Sequence, residues 1–130
     1  MSATSDHAGH PIRIKRAYED ASAEDGARVL VERLWPRGVK KEDAALDAWE
    51  KEVAPSPELR KWYGHDTNLW EEFRERYVRE LEEREEAREA VDRLLERARN
   101  GPLTLVLASK DVERSSAALL KEHLETRLAD

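Results

Sequence analysis

The 130-residue chain contains no cysteine. That absence removes disulfides, thiol catalysis and Cys-ligated zinc together, and it fits a reducing compartment. Nor does any apolar run approach the ~20 residues that span a bilayer. The opening "MSATSDHAGHP" has no basic flank and no hydrophobic segment, so it does not read as a signal peptide. Residues 1–11 are expected to be a disordered leader, residues 12–130 a single domain, and the location cytoplasmic. Net positive charge is missing too. The chain has 23 Lys and Arg against 29 Asp and Glu, a net charge of −6. This is not the electrostatic footprint of a duplex-binding domain, so duplex nucleic acid is not the expected partner.

Standard chemical motifs are also absent. The sequence has no GxGxxG, no phosphate loop, no HExxH and no GxSxG elbow. The four histidines, His7, His10, His65 and His123, lack metal-ligand spacing. His7 and His10 could take a metal adventitiously in the leader. No cofactor or metal site is expected.

What is present is charge, 40% of the residues, mostly alternating in sign on helical stretches such as "FRERYVRELEEREEAREAVDRLLERAR". That pattern belongs to solvated helix faces with i,i+4 pairs. "IRIKRAY" alternates from Ile12 and reads as a half-buried strand. "ARVLVERLW" is near-continuously apolar at its start and predicts a strand buried on both faces, stopped by Pro36-Arg37-Gly38. Lys40 to Val53 reads as a short helical turn followed by an extended segment.

"SPELRKWYG" predicts a helix capped by Ser56, with Pro57 at its first position and Gly64 at its end. Asn68, with Glu71 three residues on, predicts the next cap. Leu69, Phe73, Tyr77 and Leu81 form one stripe, and Ala87, Val91, Leu94 and Ala98 a second, on two helices or one bent helix. "PLTLVLAS" is the clearest strand. A final helix is expected from about Val112 to Leu128. Strand, strand, helices, strand, helix is the order of a small layered α/β fold, with a short, partly parallel sheet flanked by helices.

In open α/β sheets, ligands bind at the carboxyl ends of the strands. If the second and last strands run parallel, one edge gathers Trp35, Arg37 and Gly38 with Ser109, Lys110 and Asp111. The last helix starts there, bringing Ser115, Ser116 and free backbone N–H groups. Arg33, Arg37, Lys110 and Arg114 would then place positive charge on an acidic protein. The expected site is therefore Arg33, Trp35, Arg37, Lys110, Ser115 and Ser116, with His65 and Asp66 as secondary candidates. Each has a plainer reading. Trp35 can be core, Arg33 can pair with a carboxylate, and Pro36 and Gly38 can be turn chemistry. Lys110 and Asp111 can be a capping loop, and Asp66 can bond loop amides with His65 at the surface. Trp49, Trp62, Trp70 and Tyr63 are spaced as packing residues around the middle helices.

"RVLVERLWPRGVKKEDAALDAWEKEVAPSPELRKWYGHD", then "WEEFRERYVREL" and "LTLVLASKD", resembles the YeaO-like branch of the domain of unknown function 488 family. The likeness runs from Ile12 to the C-terminus. It implies a small bacterial or archaeal cytoplasmic α/β protein and no particular activity. Arg33, Trp35, Arg37, Arg60, Gly64, His65, Asp66, Phe73, Tyr77 and Lys110 match the family pattern. Glu32 stands where that pattern usually has Asp, Leu107 where a Tyr is common, and Ser115-Ser116 where an Asn-His pair is common.

Two functions are expected on these grounds. The first is a module binding a small anionic, phosphorylated or nucleotide-like ligand. The alternative is a hydrolase or transferase using His65 and Asp66 with Arg37 as stabiliser. A ligand-free protein-interaction domain is a third possibility.

Overall fold

The computed structural model describes residues 11–129; the expected leader lies, except for Pro11, outside the described residues, as do His7 and His10. Its elements are β1 (Ile12–Arg16), β2 (Ala27–Leu30), α1 (Lys41–Ala44), β3 (Ala48–Trp49), α2 (Pro57–Tyr63), α3 (Trp70–Glu83), α4 (Glu85–Asn100), β4 (Leu103–Leu107) and α5 (Ser116–Ala129). The fold is a small α/β fold. The four strands form one sheet in the order β1-β4-β2-β3, and every pairing in it is parallel. β4 lies between β1 and β2, with Ile12 and Ala27 both in register with Leu103.

Alternation decides the two faces of the sheet. Ile12, Val29, Leu103, Leu105 and Leu107 join the main core with Phe73, Tyr77, Leu81, Val91, Leu94, Leu120 and Leu124 from the helices. Leu30 and Val106 face the other way, into a smaller cluster with Trp35, Val39, Leu46 and Trp49. That second face also buries charge. Asp25 accepts from Arg28 at 2.6 Å and from Lys15 at 3.1 Å, while the Arg28 guanidinium also donates to the Ala44 carbonyl at 2.9 Å. The strand β2 is therefore buried on both faces, under helices on one side and loops on the other.

The Lys40 to Val53 segment forms α1, then β3, then a 3-10 turn at Lys51–Val53. β3 is short but continues the sheet: Asp47 N and Glu50 N donate to the Arg28 and Leu30 carbonyls at 2.7 and 2.9 Å. In α2, Ser56 Oγ accepts from Leu59 N at 3.1 Å, and Gly64 ends the helix in a left-handed conformation.

The stripes of α3 and α4 explain the break at Arg84, whose backbone is extended with φ −79° and ψ 125°. Successive helical residues rotate by about 100°. The six steps from Leu81 to Ala87 would carry the second stripe about 120° off the first in one continuous helix. The break restores both stripes to the core without a proline or glycine.

Three boundaries differ from the sequence reading. β2 ends at Leu30, not at Trp35, because both its ladders stop there, with β4 at Val106 and with β3 at Trp49. Val31 makes one last bond to the Val106 carbonyl at 3.1 Å, and the chain then leaves the sheet. α5 begins at Ser116, not Val112. Asp111 and Ser115 act in sequence there: Asp111 Oδ1 accepts from Arg114 N at 3.2 Å, and Ser115 Oγ accepts from Ala118 N at 3.2 Å. Asp66, not Asn68, makes the cap before α3, accepting from Asn68 N at 3.0 Å.

Candidate functional site

The carboxyl ends of β2 and β4 share one edge, and there the surface opens into a cleft of about 920 Å³. Three segments wall it. Glu32, Arg33 and Leu34 follow β2; Ala54 to Thr67 contribute from in and around α2; Ala108 to Ser116 form the β4–α5 loop. Phe73 reaches it from α3.

The α2 wall is held rigidly. Tyr77 donates its hydroxyl to the Val53 carbonyl, and burial, with Glu80 adding to it, pushes that phenol's pKa far up, so it stays a donor. Glu80 accepts from Ser56 N at 2.9 Å and from Ser56 Oγ at 2.5 Å. Arg33 is the third clamp. Its Nε and Nη2 donate to the Pro55 and Ala54 carbonyls at 3.2 Å each, and Nη1 lies 3.7 Å from Glu52. Two donors of one planar fork on adjacent carbonyls lock the turn between β3 and α2.

Beyond Arg33 the cleft is lined by Arg60, Lys61, Lys110 and Arg114. Among the described residues none of these four makes a salt bridge. On the helical surface Arg74, Arg76, Arg84, Arg93 and Lys121 meet carboxylates, while Arg79, Arg88 and Arg97, like the cleft cations, make no salt bridge among the described residues. Among the described residues only two carboxylates line the cleft, Glu32 and Asp111, and Asp111 already accepts from Arg114 N. An acidic protein thus gathers unneutralised cations at one strand-end edge. Apolar side chains lie among them: Pro55, Pro57 and Leu34, the last 71% exposed. The Tyr63 ring packs on Phe73 with centroids 4.5 Å apart. Burial, opposed by Arg114 and aided by Asp111 and Asp66, raises the Tyr63 pKa, so it presents a neutral hydroxyl.

Of the expected site residues, the structure brings Arg33, Lys110, Ser115, Ser116 and His65 to this cleft. Ser115 is buried and its hydroxyl is committed, donating to the Val112 carbonyl at 2.6 Å while capping α5. Trp35 and Arg37 lie elsewhere. The chain turns after Arg33, so Trp35 packs edge-on against Trp49 at 5.6 Å and donates Nε1 to the Val39 carbonyl at 2.7 Å. Arg37 is exposed beyond it, its backbone carbonyl accepting from Tyr18 at 3.0 Å. Asp66 is absent from the cleft lining, its carboxylate capping Asn68, and His65 is exposed in a left-handed conformation at φ 62°. His65, Asp66 and Arg37 are therefore not assembled around one point.

Sequence reasoning passed over Lys61, Leu34 and Tyr63 as site residues. One signal was available: Pro57, Arg60 and Lys61 stand at i, i+3 and i+4 of a capped helix, hence on one face. Leu34 gave none, since an apolar residue at the presumed end of a strand reads as core. Among the described residues no group of three His, Asp or Glu could hold a metal ion, and no helix is long and apolar enough to cross a membrane.

Comparison with known proteins adds a family. The family model described as the inactive DUF488-N3 subclade matches residues 11–130. An uncharacterised protein of Escherichia coli K12, YeaO, is 43% identical over 115 residues, covering 88% of this chain and 97% of its own. Uncharacterised proteins of Mycobacterium bovis (Mb3100c) and Mycobacterium tuberculosis H37Rv (Rv3073c) are each 41% identical over 116 residues, 89% of this chain and 95% of theirs. No solved structure matches the chain.

Proposed function

This chain belongs to the inactive DUF488-N3 subclade, and from that premise we propose that it binds a small phosphorylated or nucleotide-like molecule without transforming it. The observation that carries this reading is the run of unpaired cations, Arg60, Lys61, Lys110 and Arg114, around a cleft of about 920 Å³. Cations left unneutralised in a concave site attract anions more strongly than the same charges on a convex surface. The volume is within the range of small-molecule sites, about 300–1,000 Å³, and so far larger than an inorganic ion needs. The subclade's description and the separation of His65, Asp66 and Arg37 favour binding over hydrolysis or transfer. The net charge of −6 speaks against duplex nucleic acid as the partner, and the reading takes residues 12–130 as a single cytoplasmic domain.

Thermal-shift measurement against nucleotides and sugar phosphates tests the proposal. A ligand at about 100 times its Kd stabilises by about 2.7 kcal/mol, a rise of several degrees for a domain of this size. The rise should vanish in Lys110→Ala/Arg114→Ala and persist in Arg37→Ala, which alters a cation outside the cleft. No rise with any phosphate compound, or an undiminished rise in the double variant, would sink the proposal.

A further inference from the structure

Glu32 is the one cleft carboxylate, among the described residues, with no side-chain hydrogen bond or salt bridge. Its backbone is committed, since Trp49 Nε1 donates to the Glu32 carbonyl at 2.6 Å. That bond fixes the residue two positions beyond the carboxyl end of β2, where α/β sheets commonly present ligand-reading side chains. Arg60, Lys61, Lys110 and Arg114 line the same cleft. Here none of them lies within ion-pair distance of it.

An ionised carboxylate only accepts hydrogen bonds. It therefore repels the anionic end of a ligand and requires donors from another part of it. Those donors are neutral O–H or N–H groups, or an ammonium. The surrounding Arg33, Arg60, Lys61, Lys110 and Arg114 outnumber the carboxylates of Glu32 and Asp111, so a ligand ammonium meets net repulsion. A neutral hydroxyl does not. The exposed Leu34 with Pro55 and Pro57 gives the ligand body an apolar surface.

Resting on the anion-binding reading, we propose that Glu32 determines specificity by accepting hydrogen bonds from vicinal hydroxyls of a phosphomonoester, its phosphate lying toward Lys110 and Arg114. The ligand class is thus a ribonucleotide or a sugar phosphate, as opposed to a bare anion, a deoxy compound or an acyl phosphate.

Calorimetric titration of the full chain with adenosine monophosphate, its dideoxy analogue, ribose phosphate, phosphoethanolamine and inorganic phosphate tests this. The wild type should prefer adenosine monophosphate over the dideoxy analogue by about tenfold or more, the weight of a charge-assisted hydrogen bond. Glu32→Leu should bring that ratio close to one while binding the dideoxy analogue at least as well as the wild type. Glu32→Asp should restore part of the preference. Ribose phosphate binding as tightly as adenosine monophosphate would identify the sugar phosphate as the part that is read.

A wild-type ratio near one overturns the role of Glu32, as does an unchanged ratio in Glu32→Leu or tighter binding of phosphoethanolamine. In each case the cleft reading survives if Lys110→Ala/Arg114→Ala still abolishes binding. If no phosphate compound binds the wild type, both fall together. A wild-type ratio near one overturns the proposal even if a Glu32 variant fails to fold, and Glu32→Gln, which keeps the shape and removes the charge, then carries the assignment to Glu32.

Discussion

Asp25 offers the sharpest quantitative test of how the sheet is held on its loop-covered face. Its side chain is 3% exposed and that of Arg28 4%. Burial by itself would raise the Asp25 pKa. Hydrogen bonds from Ser22 N, Lys15, Arg28 and the Ser22 hydroxyl outweigh it and lower the value from 3.8 to about 2. At about 1.4 kcal/mol per decade, that gap amounts to about 2 kcal/mol of stability. Because the folded value is the depressed one, this stability is fully present above pH 3.8 and disappears as pH falls through about 2.

Asp25→Asn removes the charge and leaves Arg28 buried without its counterion. The expected loss near neutral pH is about 3 kcal/mol, at the low end for breaking a buried pair because Arg28 retains the Ala44 carbonyl. Urea denaturation followed by circular dichroism reads it directly. The gap between wild type and variant should narrow by about 1 kcal/mol between pH 6 and pH 3, since only the wild type loses this contribution there. A loss below about 1 kcal/mol at neutral pH, or a gap that does not change with acid, would refute the reasoning.

Three further outcomes are expected. Tyr77→Phe leaves the buried Val53 carbonyl without its donor and should cost about 1–3 kcal/mol in denaturant titration; a neutral result would show that water replaces the hydroxyl. Arg33→Ala should cost about 2 kcal/mol through the freed Ala54 and Pro55 carbonyls, while Arg37→Ala should stay within about 0.5 kcal/mol. Equal effects would contradict the different placement of these two arginines. Gly26→Ala puts a Cβ 2.2 Å from the Pro102 carbonyl oxygen at a φ of 62°. That oxygen is also the acceptor for Ala27 N at 2.9 Å, so it cannot retreat freely. A loss of about 3 kcal/mol is expected in a thermal melt, and a silent substitution would mean that the β1–β2 connection yields easily.

The helices were the most legible part of the molecule. Ser56, Pro57 and Gly64 delimit α2, and the Phe73, Tyr77 and Leu81 stripe is the buried face of α3. Such signals are local: a cap or a stripe depends on residues within a turn or two of one another. β4 was legible for the same reason, as a short apolar run between turn residues. The end of β2 was not. "RVLVERLW" is apolar enough to continue as strand, but its ladders with β3 and β4 both stop at Leu30.

By itself, then, the sequence determined the α/β order of elements, the acidic charged surface, the absence of disulfide chemistry and the presence of cations near two strand ends. Which of those cations share a space was decided by tertiary structure alone. β4 enters the sheet between β1 and β2, and this brings the loop after Leu107 beside the loop after Leu30. The turn after Arg33 then separates two arginines four residues apart. Arg33 closes on the carbonyls of Ala54 and Pro55, while Trp35 packs on the opposite face and Arg37 follows it, exposed and outside the cleft lining. Neighbouring positions in the chain constrain conformation only over a few residues, whereas a cleft is made by segments whose meeting depends on strand order. The cation cluster and the free carboxylate of Glu32 are of that second kind.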